Sequence, residues 1–203
     1  MLALPSVALA GALSWASGFR LYAALFVAGM LARFHVVALP PKLEILVHTP
    51  VLVTTGILLV VEFLIDKIPA LDSVWDSLQT FVRIPVGALL AWGVFANATP
   101  ETQAVAAILG GALAAGTHVA KAGTRAMVNA SPEPLSNWTL SYSEDGVLLI
   151  GMWLAIRHPA LFVVLLALFV LLLAWLVPKL WRGVRALQRG FSRLIAPGAR
   201  DGE

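Results

Sequence analysis

Two acidic residues, Glu62 and Asp66, lie four positions apart near the end of an apolar stretch. On a helix this spacing places both carboxylates on one face, where like charges repel unless one binds a proton or both share a cation. The pair is therefore a candidate proton or cation relay. The alternative for Asp66 is that it marks, together with Lys67, the polar end of the stretch.

His118, Lys121 and Arg125 form a second candidate group, spaced by three and four residues in a segment rich in Ala and Gly. This spacing places the three basic side chains on one face of a helix. Such a stripe suits an anionic ligand, such as a phosphate or a carboxylate, or pairing with acidic residues of neighbouring helices. Pairing is the favoured interpretation, because the sequence supplies enough acids.

Glu144 and Asp145 are adjacent and acidic. On a helix, neighbouring side chains point about 100° apart, so at most one of the two faces a given partner. We expect one of them to pair with the basic stripe. The alternative is that one is an ion-coupling carboxylate.

Small polar residues and a cation interrupt the first apolar stretch at Ser17, Gly18 and Arg20. A helix broken at Ser17 and Gly18 would expose backbone groups that bind ions, as the discontinuous helices of transporters do. A continuous helix with a paired Arg20 is the alternative.

The sequence contains none of the usual catalytic or metal-binding motifs. It has no cysteine, and its four histidines lack the spacing of metal ligands. We therefore predict no cofactor, no metal site and no enzymatic activity, with a membrane-embedded lipid enzyme as the alternative.

The elements that must position these groups are membrane-spanning helices. Hydrophobic residues make up 60% of the 203 residues and charged residues only 12%, whereas soluble domains carry roughly 25% charged residues. We therefore predict a multi-pass integral membrane protein, whose partner is the lipid bilayer. The same composition excludes most soluble enzymes and most nucleic-acid binders.

The hydropathy pattern predicts an all-α bundle of about six transmembrane spans within residues 1–178. The first stretch, from Leu2 to Leu31, lacks the positive flank of a signal peptide, so we expect it to be a span of the mature protein. The remaining predicted helices are 43–65, 72–96 with an amphipathic first part, 102–129, 138–156 and 160–177.

A sixteen-residue block occurs twice, since residues 56–71 align without gaps with residues 146–161. Weaker matches flank both copies in the same order. The two halves, about 5–97 and 102–178, would each contain three spans and so have opposite orientations, as in the inverted repeats of transporters. The alternative is chance similarity between leucine-rich spans.

Residues 179–203 form a basic tail that carries six of the fourteen Lys and Arg residues. The arginines of its predicted amphipathic helix are Arg182, Arg185, Arg189 and Arg193. They lie opposite apolar side chains, which predicts an interfacial helix on anionic lipid head groups. The alternative is a surface for nucleic acid or for a partner protein. This charge places the C-terminus in the cytoplasm, and six spans would place the N-terminus there too. The other eight basic and nine acidic residues nearly balance, which favours an internal network of ion pairs.

The run from Gly116 to Asn137, with the acidic pair that follows it, resembles an integral-membrane family known as domain of unknown function 4126. The segments around Ser17 and Arg20 and around residues 62–72 resemble its N-terminal half. The resemblance covers about residues 5 to 165 and implies a polytopic membrane protein without indicating a substrate. Asn137 lies in this run and is a further candidate pathway residue.

These features together predict a small transporter or channel-like permease that couples a proton or cation to an anionic or lipid-like substrate. The alternative is a non-transporting membrane subunit or assembly factor whose buried charges stabilise the helix bundle. The sequence leaves the substrate, the coupling ion and the oligomeric state open.

Overall fold

The computed structural model describes residues 3–129 and 134–195, with the backbone alone at 69, 70, 73, 126–129, 134–137, 177 and 180–195. In this part of the chain the structure is all-helical and contains no strand. The α-helices are α1 (Leu4–Phe19), α2 (Leu21–Arg33), α3 (Thr49–Ile65), α4 (Pro69–Val94), α5 (Pro100–Asn129), α6 (Pro134–Arg157) and α7 (Pro159–Ile195), and a 3-10 helix spans Pro41–Val47.

Proline is the first residue of four of the α-helices: Pro69, Pro100, Pro134 and Pro159. Proline suits the first helical position because its φ angle is already helical and its missing N–H is not needed there. The starts at Pro100 and Pro159 lie within two residues of the predicted starts at 102 and 160.

Three helical segments in the described residues are long and apolar enough to cross a membrane: Val74–Val94, Pro100–Arg125 and Pro159–Leu176. Pro41–Val47 and Thr49–Ile65 make a fourth if this pair, bent by 66°, counts as one span. The number is smaller than the six spans predicted. One reason is that the adjacent charges of Glu144 and Asp145 lower the hydropathy of α6.

The first apolar stretch is two short helices, so the prediction of one span from Leu2 to Leu31 is wrong. The helices are separated by Arg20, whose extended backbone (φ −145°, ψ 94°) ends α1 and begins α2. With 16 and 13 residues, each is shorter than the ~20 residues that cross a bilayer.

The chain reverses direction between α1 and α2. Arg20, where α2 begins, pairs with Asp66 at the end of α3. Arg33, where α2 ends, donates to the Thr49 hydroxyl at the start of α3, at 3.5 Å. The first turn of α1 lines the same hollow as residues 38–41, which precede α3. Helices α1 and α2 are therefore a hairpin with Arg20 at its tip.

Small residues hold α1, α4 and α5 close together. A Cβ atom on Gly18 would lie 2.3 Å from the carbonyl oxygen of Ala114, and one on Gly87 would lie 2.4 Å from the Cβ of Ala114. The hydroxyl of Ser14 donates to the carbonyl of Gly87 at 2.9 Å. Close approach of this kind is typical of helices that pack in membranes, and it brings the polar groups of the three helices within reach of one another.

Contacts divide the chain into two units, residues 1–166 and 167–203. The described part of the second unit is the remainder of α7, which continues through Pro178 to Ile195. The predicted boundary between the last span and the basic tail is therefore not marked by a helix end.

Candidate functional site

Ten ionisable side chains form one connected network at the tip of the α1–α2 hairpin. All except Asp145, which is 29% exposed, are at least nine-tenths buried. The members are Arg20, Glu62, Asp66, Asp72, Asp76, Arg83, Lys121, Arg125, Glu144 and Asp145.

Arg20 connects the hairpin tip to α3 and α6. Its guanidinium forms an ion pair with Asp66 and another, at 2.7 Å, with Asp145. It also donates to the hydroxyl of Ser141 at 2.8 Å. The side chain is fully buried, so the chain reversal places a cation directly beside acidic groups of two other helices.

Arg125 makes a two-pronged contact with Glu144. Its Nε lies 3.0 Å from one carboxylate oxygen and its Nη2 lies 2.7 Å from the other. It also donates to the backbone carbonyl of Asp66 at 2.9 Å. Bidentate pairs of this kind are strong and directional, so Arg125 fixes α5 and α6 against the end of α3.

Lys121 lies among three carboxylates from three different elements. Its Nζ is 3.7 Å from Asp66, 3.6 Å from Asp76 and 3.9 Å from Glu144. Within the described residues it makes no hydrogen bond at these distances. The ammonium group therefore balances charge without fixing the position of any one acid.

Arg83 joins α4 to α3 and to the basic stripe of α5. Its guanidinium lies 2.7 Å from Glu62 and 2.8 Å from Asp76. Its Nη1 also donates to the Nδ1 atom of His118 at 2.9 Å. A nitrogen that accepts this bond carries no proton, so the imidazole is neutral.

The other ring nitrogen of His118 continues the chain of hydrogen bonds. Because Nδ1 accepts, Nε2 carries the proton and donates to the hydroxyl of Thr80 at 2.6 Å. Thr80 in turn donates to the backbone carbonyl of Asp76 at 3.0 Å. A continuous path of donors therefore runs from Arg83 to the backbone of α4.

The carboxylates of the network outnumber its cations. It contains six acids and four basic residues, and the neutral His118 adds no charge. Lys67, which adjoins the network in sequence, reduces the excess to one negative charge. Asp145, which is 29% exposed, is the one acid of the network that is not deeply buried, so this remaining charge can be partly solvated.

Asp72 precedes the membrane-spanning segment that begins at Val74. Burial of its carboxyl raises the pKa to about 6; the nearby Arg125 opposes this, whereas the negative charges of Asp76 and Asp66 reinforce it. The distance from the guanidinium of Arg125 to this carboxylate is 3.7 Å. Asp72 is therefore a group of the network that takes up a proton at mildly acidic pH.

A hollow of about 240 Å³ borders the network on the side of α4 and α5. Its volume holds several water molecules, each of which occupies about 30 Å³ in the liquid. The lining residues are Asp72, Asp76, Ser77, Thr80, His118, Ala122 and Arg125. Acidic groups of the network therefore have a space in which a small polar species can reach them.

Eight of the residues that the sequence indicated as pathway candidates lie at this site. They are Arg20, Glu62, Asp66, His118, Lys121, Arg125, Glu144 and Asp145. Asn137 and the arginines of the tail, Arg182, Arg185, Arg189 and Arg193, lie outside the described side chains.

Ser17 and Gly18 lie inside α1, and the helix break falls later, at Arg20. The hydroxyl of Ser17 donates to the carbonyl of Ser14 at 2.8 Å, a bond within the same helix. Gly18 allows the close approach of α5 described above. The two residues therefore contribute to packing beside the break rather than to the break itself.

Three network residues on α4 were missed by sequence reasoning: Asp72, Asp76 and Arg83. Their spacing of four and seven residues places them on one helix face. The sequence shows this face, but an amphipathic segment at the end of a span is normally assigned to the membrane surface. The acids of α4 face inward because Lys121 and Arg125 of α5 supply basic partners there.

Within the described residues, no group of three His, Cys, Asp or Glu side chains is placed to hold a metal ion. The acids of the network contact arginine or lysine instead.

Fold and site together define an all-helical protein with apolar helices of membrane-spanning length and a buried ionic network. The chain belongs to the family described as domain of unknown function DUF4126, whose model matches residues 7–179. Comparison with curated proteins and with solved structures gave no match. The matched range includes all ten network residues.

Proposed function

We propose that this protein is a small membrane transporter or channel-like permease in which the buried network binds and releases a proton or a monovalent cation. The observation that carries the proposal is that two buried acids of the network, Asp72 and Asp76, border a hollow that is large enough for water. The network contains more acids than basic residues, and its net negative charge favours uptake of a proton or a cation. Asp72 and Asp76, which line the hollow, are the proposed points of entry.

The transported or coupling species is more readily a cation than an anion. Arg125 is already occupied by Glu144 through two short contacts, and Arg20 contacts Asp66 and Asp145. An anionic or lipid-like substrate, which the basic stripe of the sequence suggested, would have to displace these carboxylates. A proton or a small cation would instead be attracted to the acids.

Flux measurements in proteoliposomes test this proposal. The purified protein is reconstituted with a pH-sensitive dye inside, and proton movement is followed under an imposed pH gradient and, separately, under Na⁺ or K⁺ gradients. We expect Asp72→Asn and Glu62→Gln to reduce flux at least ~10-fold. Glu44→Gln is the matched control, because Glu44 is exposed and lies in the 3-10 helix away from the network.

Flux that both network variants leave unchanged would overturn the proposed roles of these acids. Loss of flux in the Glu44→Gln variant as well would indicate a general effect of removing an acid, and would also count against the proposal.

The second candidate function is a non-transporting membrane subunit or assembly factor. It is favoured by the complete burial of Arg20, Glu62, Asp66 and Arg83, because fully buried ion pairs also serve to hold helices together. This candidate predicts that a partner protein co-purifies with the chain and that no ion gradient is dissipated in proteoliposomes.

We also propose that the two halves of the chain derive from one repeated unit; their opposite orientation depended on three spans in each half, and the α1–α2 hairpin replaces the first of these spans. In both copies of the repeated block, a helix ends and a new helix begins at a proline: α3 and Pro69 in the first, α6 and Pro159 in the second. The halves differ in that α1 and α2 are separate helices, whereas the corresponding α5 is continuous. Cysteine-accessibility labelling of equivalent positions in the two blocks tests this, because repeated units should place equivalent residues at the same depth in the membrane.

We also propose that the arginine-rich end of α7 lies on an anionic lipid surface in the cytoplasm. The support is the helical spacing of the four arginines in the sequence and the positive-inside rule. The side of the N-terminus depended on an uninterrupted first span, which α1 and α2 replace, so the tail alone supports the orientation. Binding of the full chain to liposomes with and without anionic lipid tests this.

A further inference from the structure

Lys67 lies in the short connection between α3 and α4, and its ammonium group is surrounded by three aromatic rings. The distances from Nζ to the ring centroids are 3.5 Å for Phe63, 4.7 Å for Tyr142 and 5.4 Å for Trp138. All three are within the ~6 Å at which a cation is attracted to a ring face. Phe63 and Tyr142 also contact each other edge to face at 5.9 Å.

This aromatic cage, formed by Phe63, Trp138 and Tyr142, offers the Lys67 ammonium no hydrogen-bond partner within the described residues. A lysine ammonium has three N–H donors, and donors that are buried without acceptors are unfavourable. A quaternary ammonium group has no N–H donor. The same cage therefore suits a trimethylammonium cation better than the lysine that fills it, because the trimethylammonium group leaves no N–H donor without an acceptor.

The position of the cage makes it accessible. Trp138 and Tyr142 are 48% and 56% exposed, and exposed Trp and Tyr side chains of membrane proteins are often placed among lipid head groups. Lys67 follows the last residue of α3, Ile65, by two positions. Its long flexible side chain can leave the cage and regain hydrogen bonds to water.

We propose that this cage is a binding site for a quaternary ammonium group, and that Lys67 is an internal occupant which the ligand displaces. The ligand is either free choline-like cation or the choline head group of a phospholipid, because the two share this chemistry. The proposal is independent of the transport function proposed above and concerns different side chains.

Binding of tetramethylammonium to the purified full chain tests the proposal. The protein is kept in a detergent without a quaternary ammonium group, and affinity is measured by thermal stabilisation against increasing tetramethylammonium chloride, with NaCl at equal ionic strength as the reference. Lys67→Ala removes the internal competitor, so we expect at least ~5-fold tighter binding than in the wild type. Adding Tyr142→Leu to that variant should abolish the gain.

Lys42→Ala is the matched control, because Lys42 lies 3.4 Å from the centroid of a single ring, Trp92, and not in a cage. We expect no change in tetramethylammonium affinity for this variant. If Lys67→Ala is poorly folded, Lys67→Gln in the same assay replaces it, with the same expected direction. Affinity that neither Lys67 variant increases, or an equal effect of NaCl, would overturn the proposal.

The source of the ligand is distinguished with nanodiscs. If the site takes a lipid head group, nanodiscs of phosphatidylcholine should abolish tetramethylammonium binding, whereas nanodiscs of phosphatidylglycerol should not. If it takes a free cation, binding should be the same in both lipids and should be competed by choline. Binding that Tyr142→Leu leaves unaffected in all of these settings would place the ligand elsewhere and would contradict the proposal.

Discussion

The guanidinium of Arg83 lies 2.7 Å from the carboxylate of Glu62, and neither side chain is exposed. The contact joins α4 to α3 in the interior of the protein, where water cannot replace either partner. A buried ion pair is costly to break because the remaining charge is left without compensation. Whether it is more costly to remove the acid or the base depends on the charge of the surroundings.

We expect Arg83→Met to be more destabilising than Glu62→Gln. The network already has more acids than cations, so loss of Arg83 adds to the imbalance, whereas loss of Glu62 reduces it. Breaking a buried pair costs about 3–5 kcal/mol, and we expect Arg83→Met to fall in this range and Glu62→Gln below it. Unfolding in mixed micelles measures both variants, and the reverse order would contradict the charge excess.

The raised pKa of Asp72, to about 6, predicts a dependence of stability on pH. Between its ordinary value of 3.8 and about 6, the folded protein binds more protons than the unfolded chain, so stability falls as pH rises through this window. Asp72→Asn should remove this part of the slope. The unfolding midpoint, measured from pH 4 to pH 7, compares the variant with the wild type, and identical slopes would rule out a titrating Asp72.

Lys121→Met should destabilise the protein more at neutral pH than at acidic pH. The substitution removes the cation that lies within 3.9 Å of Asp66, Asp76 and Glu144, so one of the three acids has to be protonated instead. We expect a loss of about 3 kcal/mol or more at pH 7, as for other broken buried pairs, with partial recovery at pH 5. Lys42→Met serves as the control, since Lys42 is exposed.

Gly18→Ala should destabilise the protein by about 1–3 kcal/mol, as is typical when a methyl group is forced into a packed interior. The new Cβ would lie 2.3 Å from the carbonyl oxygen of Ala114, so α1 and α5 would have to move apart. Gly123→Ala is the matched control, because a Cβ there meets no atom within 4 Å. On α5 it should stabilise by up to ~1 kcal/mol through helix propensity.

The same unfolding assay distinguishes the two glycines. Equal effects of both substitutions would show that helix propensity alone accounts for the result, and that close packing at Gly18 does not limit stability.

Much of the ionic network was predictable from spacing. The basic stripe at 118, 121 and 125 lies on one face of α5, because residues three and four apart share a helix face whatever surrounds them. The direction of that face, toward acids of α3, α4 and α6, follows from the high cost of placing charge in lipid. Local rules therefore identify these side chains as members of one site.

The acids of α4 were harder to place. The segment 72–83 is amphipathic, and an amphipathic pattern reports only that two faces differ. Whether the polar face of α4 meets water or other charged side chains depends on where α3 and α5 lie, which is a property of the packed helices.

The sequence by itself determined the helical class, the low charge typical of a membrane protein and most members of the ionic network, because composition and helix periodicity are local properties. Only the tertiary structure decided that the first apolar stretch turns back at Arg20, that α4 contributes Asp72, Asp76 and Arg83, and that an aromatic cage surrounds Lys67. These features depend on contacts between residues far apart in the chain. The energy of such contacts comes from burial and charge pairing, and no pattern along one segment reports it.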